Sequence, residues 1–224
     1  MSTHKAAGVI IAGLALAIGA CAPQEKSVVD NYFRAISAGD NQTLTSFAIV
    51  NFEEPVEAWK VRQLGTEMRS PVTLPDLVRK LKEAEAAVAA NKKDYNNYFL
   101  EHPTEVDEVR ELLKGEKPIP RKLETVAADW QGFVAKEKEL KSTLAEAKDA
   151  VAREKKNVTL SVGPVEGVEG LEGEMVTKDL GLQLTIQGQP KDYLMTLRRY
   201  ELQAKGPGPR MMSRWVVFDL KPQG

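Results

Sequence analysis

The chain of 224 residues has one cysteine, two histidines and no excess of positive charge, and each shortage closes off a class of chemistry. A single cysteine makes no internal disulfide, so the fold must rest on its core. Zinc sites draw mainly on Cys and His, and Cys21, His4 and His102 are too few and too scattered to form one. A Ser-His-Asp or Cys-His site would have to use His102, which stands beside Pro103 and reads as an exposed residue at a helix end. The 31 Lys and Arg face 32 Asp and Glu, without the basic excess of a nucleic-acid protein. The one glycine-rich stretch is interleaved with glutamate, which would repel phosphate. No cofactor or metal site is legible. Adjacent acids at Glu53-Glu54 and Glu172/Glu174 are left for acid–base work, but a solvated surface accounts for them more simply.

Long apolar runs are equally scarce. The only one, residues 6–20, follows His4 and Lys5, and its roughly 15 residues fall short of the roughly 20 that span a bilayer. That is the pattern of a secretory signal. It ends in Ile18-Gly19-Ala20-Cys21, which resembles the bacterial lipobox. The resemblance implies removal of residues 1–20 and lipid attachment at Cys21. Ala22, in place of an aspartate, implies the outer membrane, facing the periplasm, if the cell is diderm. Two or more acyl chains anchor stably, at about 0.8 kcal/mol per buried CH2. Residues 21–25 would form a lipidated tether, with residues 22–25 reaching about 14 Å.

What is present divides into two patterns. Residues 26–38 carry Val28, Val29, Tyr32, Phe33 and Ile36 at the spacing of one helix face. Gly39 stops that helix, and Asp40 can cap a second one bearing Leu44 and Phe47. Residues 56–72 read as extended, with Trp59, Val61 and Leu64 buried. After Asn157 the period becomes two: Val158, Leu160 and Val162 alternate, as do Leu180 to Ile186, and further strand signals cover 193–203 and 215–220. Turns are marked at Gly163-Pro164, Gly188-Gln189-Pro190 and residues 206–209. The threefold Val/Leu-Glu-Gly repeat at 165–173 weakens helix and strand alike and predicts a mobile edge or loop. Arg198-Arg199 and Arg210 could touch anionic lipid headgroups.

Between these parts, residues 73–156 show two heptad series. Leu74, Leu81, Val88 and Tyr95 are accompanied by Leu77, Ala84, Asn91 and Tyr98. Leu123, Trp130, Glu137, Leu144 and Val151 are accompanied by Val126, Phe133, Leu140 and Ala147. Asn91 and Glu137 are the polar interruptions. Pro103 separates the first helix from a short one carrying Val106, Val109 and Leu112, with Thr104 and Asp107 as candidate caps. The pattern predicts an antiparallel, coiled-coil-like helical hairpin with a helical tip. Tyr95, Tyr98 and Phe99 should then approach Leu123, Val126 and Trp130. Those aromatic residues and Glu137 are the candidate partner or ligand contacts, although packing of the tip helix explains the rings more simply.

Val28-Val29-Asp30-Asn31-Tyr32-Phe33-Arg34-Ala35-Ile36-Ser37-Ala38-Gly39-Asp40 resembles the opening of nuclear-transport-factor-2-like domains, and Ser213-Arg214-Trp215-Val216-Val217-Phe218 their terminal strand. The resemblance implies an α+β domain built from residues 26–72 and 157–224. N-terminal helices would pack on a curved, mainly antiparallel sheet, and the hairpin would be an insertion. No catalytic constellation of that superfamily maps onto this chain. The expectation is a membrane-anchored cell-envelope lipoprotein, more a non-enzymatic protein-binding or scaffold module than an enzyme, with an envelope protein as partner. The alternative is a small apolar-ligand carrier or weak enzyme with a pocket in the α+β domain, walled by Trp59, Trp215 and Phe218 and enclosing a few hundred Å³.

Overall fold

The computed structural model describes residues 24–204 and 210–223. Residues 1–20, Cys21 and the signal reading attached to them lie outside the described residues. In chain order the elements are α1 (Gln24–Ala38), α2 (Asn41–Phe47), β1 (Ala58–Pro71), α3 (Leu74–Glu101), α4 (Pro103–Lys114), α5 (Glu124–Val162), β2 (Glu172–Ile186), β3 (Gln189–Gln203) and β4 (Val216–Pro222). The fold is α+β. The four strands form one antiparallel sheet in the order β1-β2-β3-β4, and α3, α4 and α5 form a helical hairpin between β1 and β2.

The N-terminal helices follow the sequence closely. α1 buries Val29, Tyr32 and Phe33 on one stripe and stops at Gly39, where φ is +66°. Asp40 caps α2, its carboxylate accepting the Thr43 N–H at 3.0 Å. One correction concerns the tether: Glu25 is already helical and buried, and it lies 2.6 Å from the Lys178 ammonium.

β2 and β3 pair over their full length around a two-residue turn, Gln187-Gly188, with φ of +52° and +71°. Positive φ at both positions gives the twist that a tight hairpin needs. Gln189 and Pro190, expected in the turn, already belong to β3. β1 is an edge strand whose pairing slips twice, between Val61 and Gln63 and between Leu64 and Glu67. Those irregularities break the alternation. Trp59 and Val61 are therefore only half-buried, and Leu64, expected inside, is 37% exposed.

The sheet buries a different face at each end. In β3 the buried residues run Tyr193, Met195, Leu197 and then Tyr200, Leu202, a change of parity with no register slip against β2. Alternate residues of a strand point to opposite faces. The first three join Val29, Tyr32, Phe33 and Leu44 in the core under α1 and α2. The last two join Leu74, Val151 and Val158 in a second core at the base of the hairpin. Helices α1 and α2 thus lie on one side of the sheet and the hairpin base on the other.

The largest correction is at the end of α5. Val158, Leu160 and Val162 were expected to start a strand, with the hairpin ending at 156. Instead α5 continues through Val162, so that boundary falls inside the helix. Its buried residues there are Val151, Glu154, Val158 and Ser161, a helical spacing with polar side chains in two of the four places. The Val/Leu-Glu-Gly repeat is also packed rather than loose. A three-residue period matches a 3-10 turn, found at Val168–Gly170, and it buries Val168 and Leu171 against the hairpin base.

Candidate functional site

The seam of the hairpin follows the two heptad series. Leu74, Ala84 and Asn91 of α3 are buried, as are Leu123 before α5 and Val151 within it, and the other series positions are half-buried, Glu137 excepted. At the base, Glu154 fixes the register. Its Oε1 accepts from the hydroxyls of Thr73 and Tyr200, each at 2.9 Å, and its Oε2 from the Asn157 amide at 3.3 Å. Ser161 adds a second tie, accepting the Tyr200 backbone N–H at 3.0 Å and donating to the Arg214 carbonyl at 2.9 Å. Arg214 in turn donates to the Leu160 and Ser46 carbonyls, each at 2.8 Å, placing a cation at the C-terminal end of α5.

The base core takes Leu74, Leu77, Val78 and Leu81 from α3. The roughly 20 residues of α3 beyond Leu81 correspond to about 30 Å of helix. At the far end α4 closes the hairpin by burying Val106 and Val109. Thr104 and Asp107 do not cap it: His102 is the N-cap, with no side-chain cap hydrogen bond, and Pro103 opens the first turn. His102 is not free in solvent either, since its ring lies 4.8 Å from that of Tyr98.

The expected aromatic residues come together, centred one turn deeper than foreseen. Phe133, which the sequence places in the seam but not among the contact residues, meets Tyr95 at 6.1 Å and Tyr98 at 5.4 Å. Phe99 stacks on Tyr95 at 6.4 Å. The Tyr98 hydroxyl donates to Asp129 at 3.1 Å, and burial, then the Asp129 carboxylate, pushes its pKa above the usual tyrosine value. Trp130 packs on the tip core of Val109, Leu123 and Ala127, so part of the cluster does hold the tip together.

Beside this cluster the seam opens. A cavity of about 470 Å³ is lined by Asn91, Tyr95, Trp130, Phe133, Glu137 and Lys141, with Lys92 and Arg110 also on its wall. Three of the five expected contacts, Tyr95, Trp130 and Glu137, share it. Tyr98 faces a neighbouring cleft of about 330 Å³ with Asp129 and Phe133. Asn91, Lys92 and Arg110 join those three without belonging to the contacts that the sequence points to. The available signal was the interruption itself: Asn91 and Glu137 are where the heptads fail, and both line the same cavity.

The α+β domain gives its rings other work. Trp59 stacks on Phe33 at 5.4 Å and donates to Asp30 at 2.8 Å. Trp215 lies under the Arg199 guanidinium and Phe218 under that of Arg198. The three rings proposed as one wall are thus engaged by different partners, while Tyr32, Phe33, Leu180 and their neighbours fill the helix-facing side of the sheet. Arg199 also pairs with Glu67 and Glu201, at 3.4 and 3.0 Å. Arg199 is therefore engaged within the fold, Arg198 lies on the Phe218 ring beside an open cleft, and Arg210 is exposed.

Among the described residues, no group of three or more His, Cys, Asp and Glu could hold a metal ion, and no helix is long and apolar enough to cross a membrane. No protein-family model matches the chain, and neither a curated protein nor a solved structure is significantly similar to it.

Proposed function

We propose that this protein is a lipid-anchored cell-envelope component that binds another envelope protein through the outer part of its helical hairpin, without catalysis. The observation that carries the reading is the arm itself. About 30 Å of paired helix extends past the base core, ends in its own small tip core and exposes Leu100 (77%) and Val134 (42%) around the aromatic cluster. An arm that only completed the α+β core would not need that length. The lipobox resemblance at Cys21 supports the anchor, and in a diderm cell the proposed location is the outer membrane, facing the periplasm.

Two measurements test the two halves of this reading. Replacing Cys21 with serine should abolish incorporation of labelled palmitate and release the protein from the membrane fraction; undiminished labelling would refute the anchor. A photo-crosslinking residue at Leu100 or Val134 should give a discrete adduct in cells, and one at Asp192 on the sheet should not. Adducts from Asp192 alone would move the binding surface off the arm.

A further inference from the structure

The two polar interruptions of the heptads belong to one layer of the hairpin. Thr73 bonds Glu154 near the base, while Tyr98 bonds Asp129 and Tyr95 meets Phe133 near the tip. Counting inward from both ends brings Asn91 opposite Glu137, and both line the 470 Å³ cavity. Apolar residues at these places would continue the apolar series. A buried asparagine in a coiled coil is normally a register device that bonds across to its partner. Asn91 is only 5% exposed, and what its side chain borders is the cavity; its amide is not among the buried polar atoms left without a partner. Glu137 turns instead to Lys141 on its own helix, at 2.7 Å.

An amide that borders an open space is available to a ligand placed there. The size of the gap lies within the roughly 300–1,000 Å³ of small-molecule sites. Tyr95, Trp130 and Phe133 offer ring surfaces that stack on planar groups. The charge has a sign as well. Lys141 answers Glu137, Arg110 answers Asp107 at 3.3 Å, and Lys92 has no ion pair among the described residues. The lining keeps a surplus positive charge beside Asn91.

We propose that this cavity binds a small aromatic anion, its ring against Tyr95, Trp130 and Phe133 and its acidic oxygens accepting from the Asn91 amide and the Lys92 ammonium. Ionised acceptors make the stronger hydrogen bonds to such donors. The cavity shares Val134 with the surface proposed for a protein partner, so the two readings are separated by which probe binds.

Calorimetric titration of the full chain tests it with three probes: naphthalene sulfonate, neutral naphthalene methanol, and an acidic peptide with a central tryptophan. The wild-type protein should bind the sulfonate, and the neutral alcohol about tenfold more weakly. Lys92→Glu, on an exposed side chain, should weaken the sulfonate about tenfold and leave the alcohol unchanged. Asn91→Leu, which removes the amide donor and keeps the size of the side chain, should weaken the sulfonate about fivefold and raise the melting temperature, so that loss of binding is not loss of fold. The proposal is overturned if the wild type does not bind the sulfonate, if the alcohol binds equally well, or if either variant keeps the wild-type affinity. Binding of the peptide without the sulfonate would overturn it in favour of a protein anchor.

Discussion

The hydroxyl of Tyr200 donates to Oε1 of Glu154 at 2.9 Å, joining the middle of the sheet to the long helix of the arm. Burial first, and the Glu154 charge second, push the pKa of Tyr200 far above the usual tyrosine value, so the phenol stays a donor. Glu154 itself is 7% exposed and is held by three donors. Tyr200→Phe should lower unfolding stability by about 1.5–3 kcal/mol, the usual loss for a hydrogen bond to a charged group. Urea unfolding of the two proteins measures it, and an unchanged midpoint would mean the contact carries no stability.

A pH dependence follows from Glu25 and Lys178. Burial alone would raise the pKa of Glu25, but the hydrogen bond from Lys178, a backbone bond and the charges of Lys178 and Arg199 outweigh it, leaving the carboxyl below its ordinary value. A carboxylate with a depressed folded pKa stabilises above the unfolded pKa of about 4.3 and loses that contribution as pH falls through the folded value. At neutral pH, Glu25→Gln should cost about 2 kcal/mol. The gap in melting temperature between wild type and variant should narrow below about pH 4; a gap constant with pH would contradict the assignment.

The end of α5 can be checked by substitution. Val158 is fully buried and Thr159 is exposed. Val158→Ala should cost about 2 kcal/mol, and Thr159→Ala less than about 0.5 kcal/mol. Ser161→Ala should cost about 1–3 kcal/mol, because it leaves the buried Tyr200 N–H without its acceptor. Denaturant melts of the three variants decide it. A strand at this place would make Leu160 the costly position instead of Ser161.

Gly173 permits the start of β2. Its φ is +148°, and a β-carbon there would stand 2.1 Å from the Glu201 carbonyl oxygen. Gly173→Ala should destabilise by about 2 kcal/mol or more, through backbone strain and displacement of β3. A wild-type melting temperature in that variant would show that the strands separate there without cost.

Much of this arrangement was legible in the sequence where apolar spacing and burial coincide. The face of α1, the Gly39 stop, the Asp40 cap and both heptad series are of that kind. Legibility failed where polar residues occupy buried places. Glu154 and Ser161 hide the helical period of the last turns of α5, and the β-branched residues at 158, 159 and 162 then imitate a strand. Leu64 misled for the opposite reason: pairing slips in an edge strand leave an apolar side chain outside. The change of buried face along β3 could not be read from β3 alone, because it depends on which helices cover each end. For the candidate site, the rings were visible as a group. The meeting of Asn91 and Glu137 needed the register of the hairpin, which side chains at its two ends establish.

The two faces of the sheet have a mechanical consequence. Because α1 grips one side and the hairpin base the other, with α2 tied to the end of α5 through Arg214, β2 and β3 serve as a shared plate between the two helical layers. A sideways load on the tip is met at the base by Tyr200, Leu202 and the Glu154 contacts. A small rotation at Glu154 is a much larger excursion at Pro103. The contacts at the base are therefore the ones that set the direction in which the arm points.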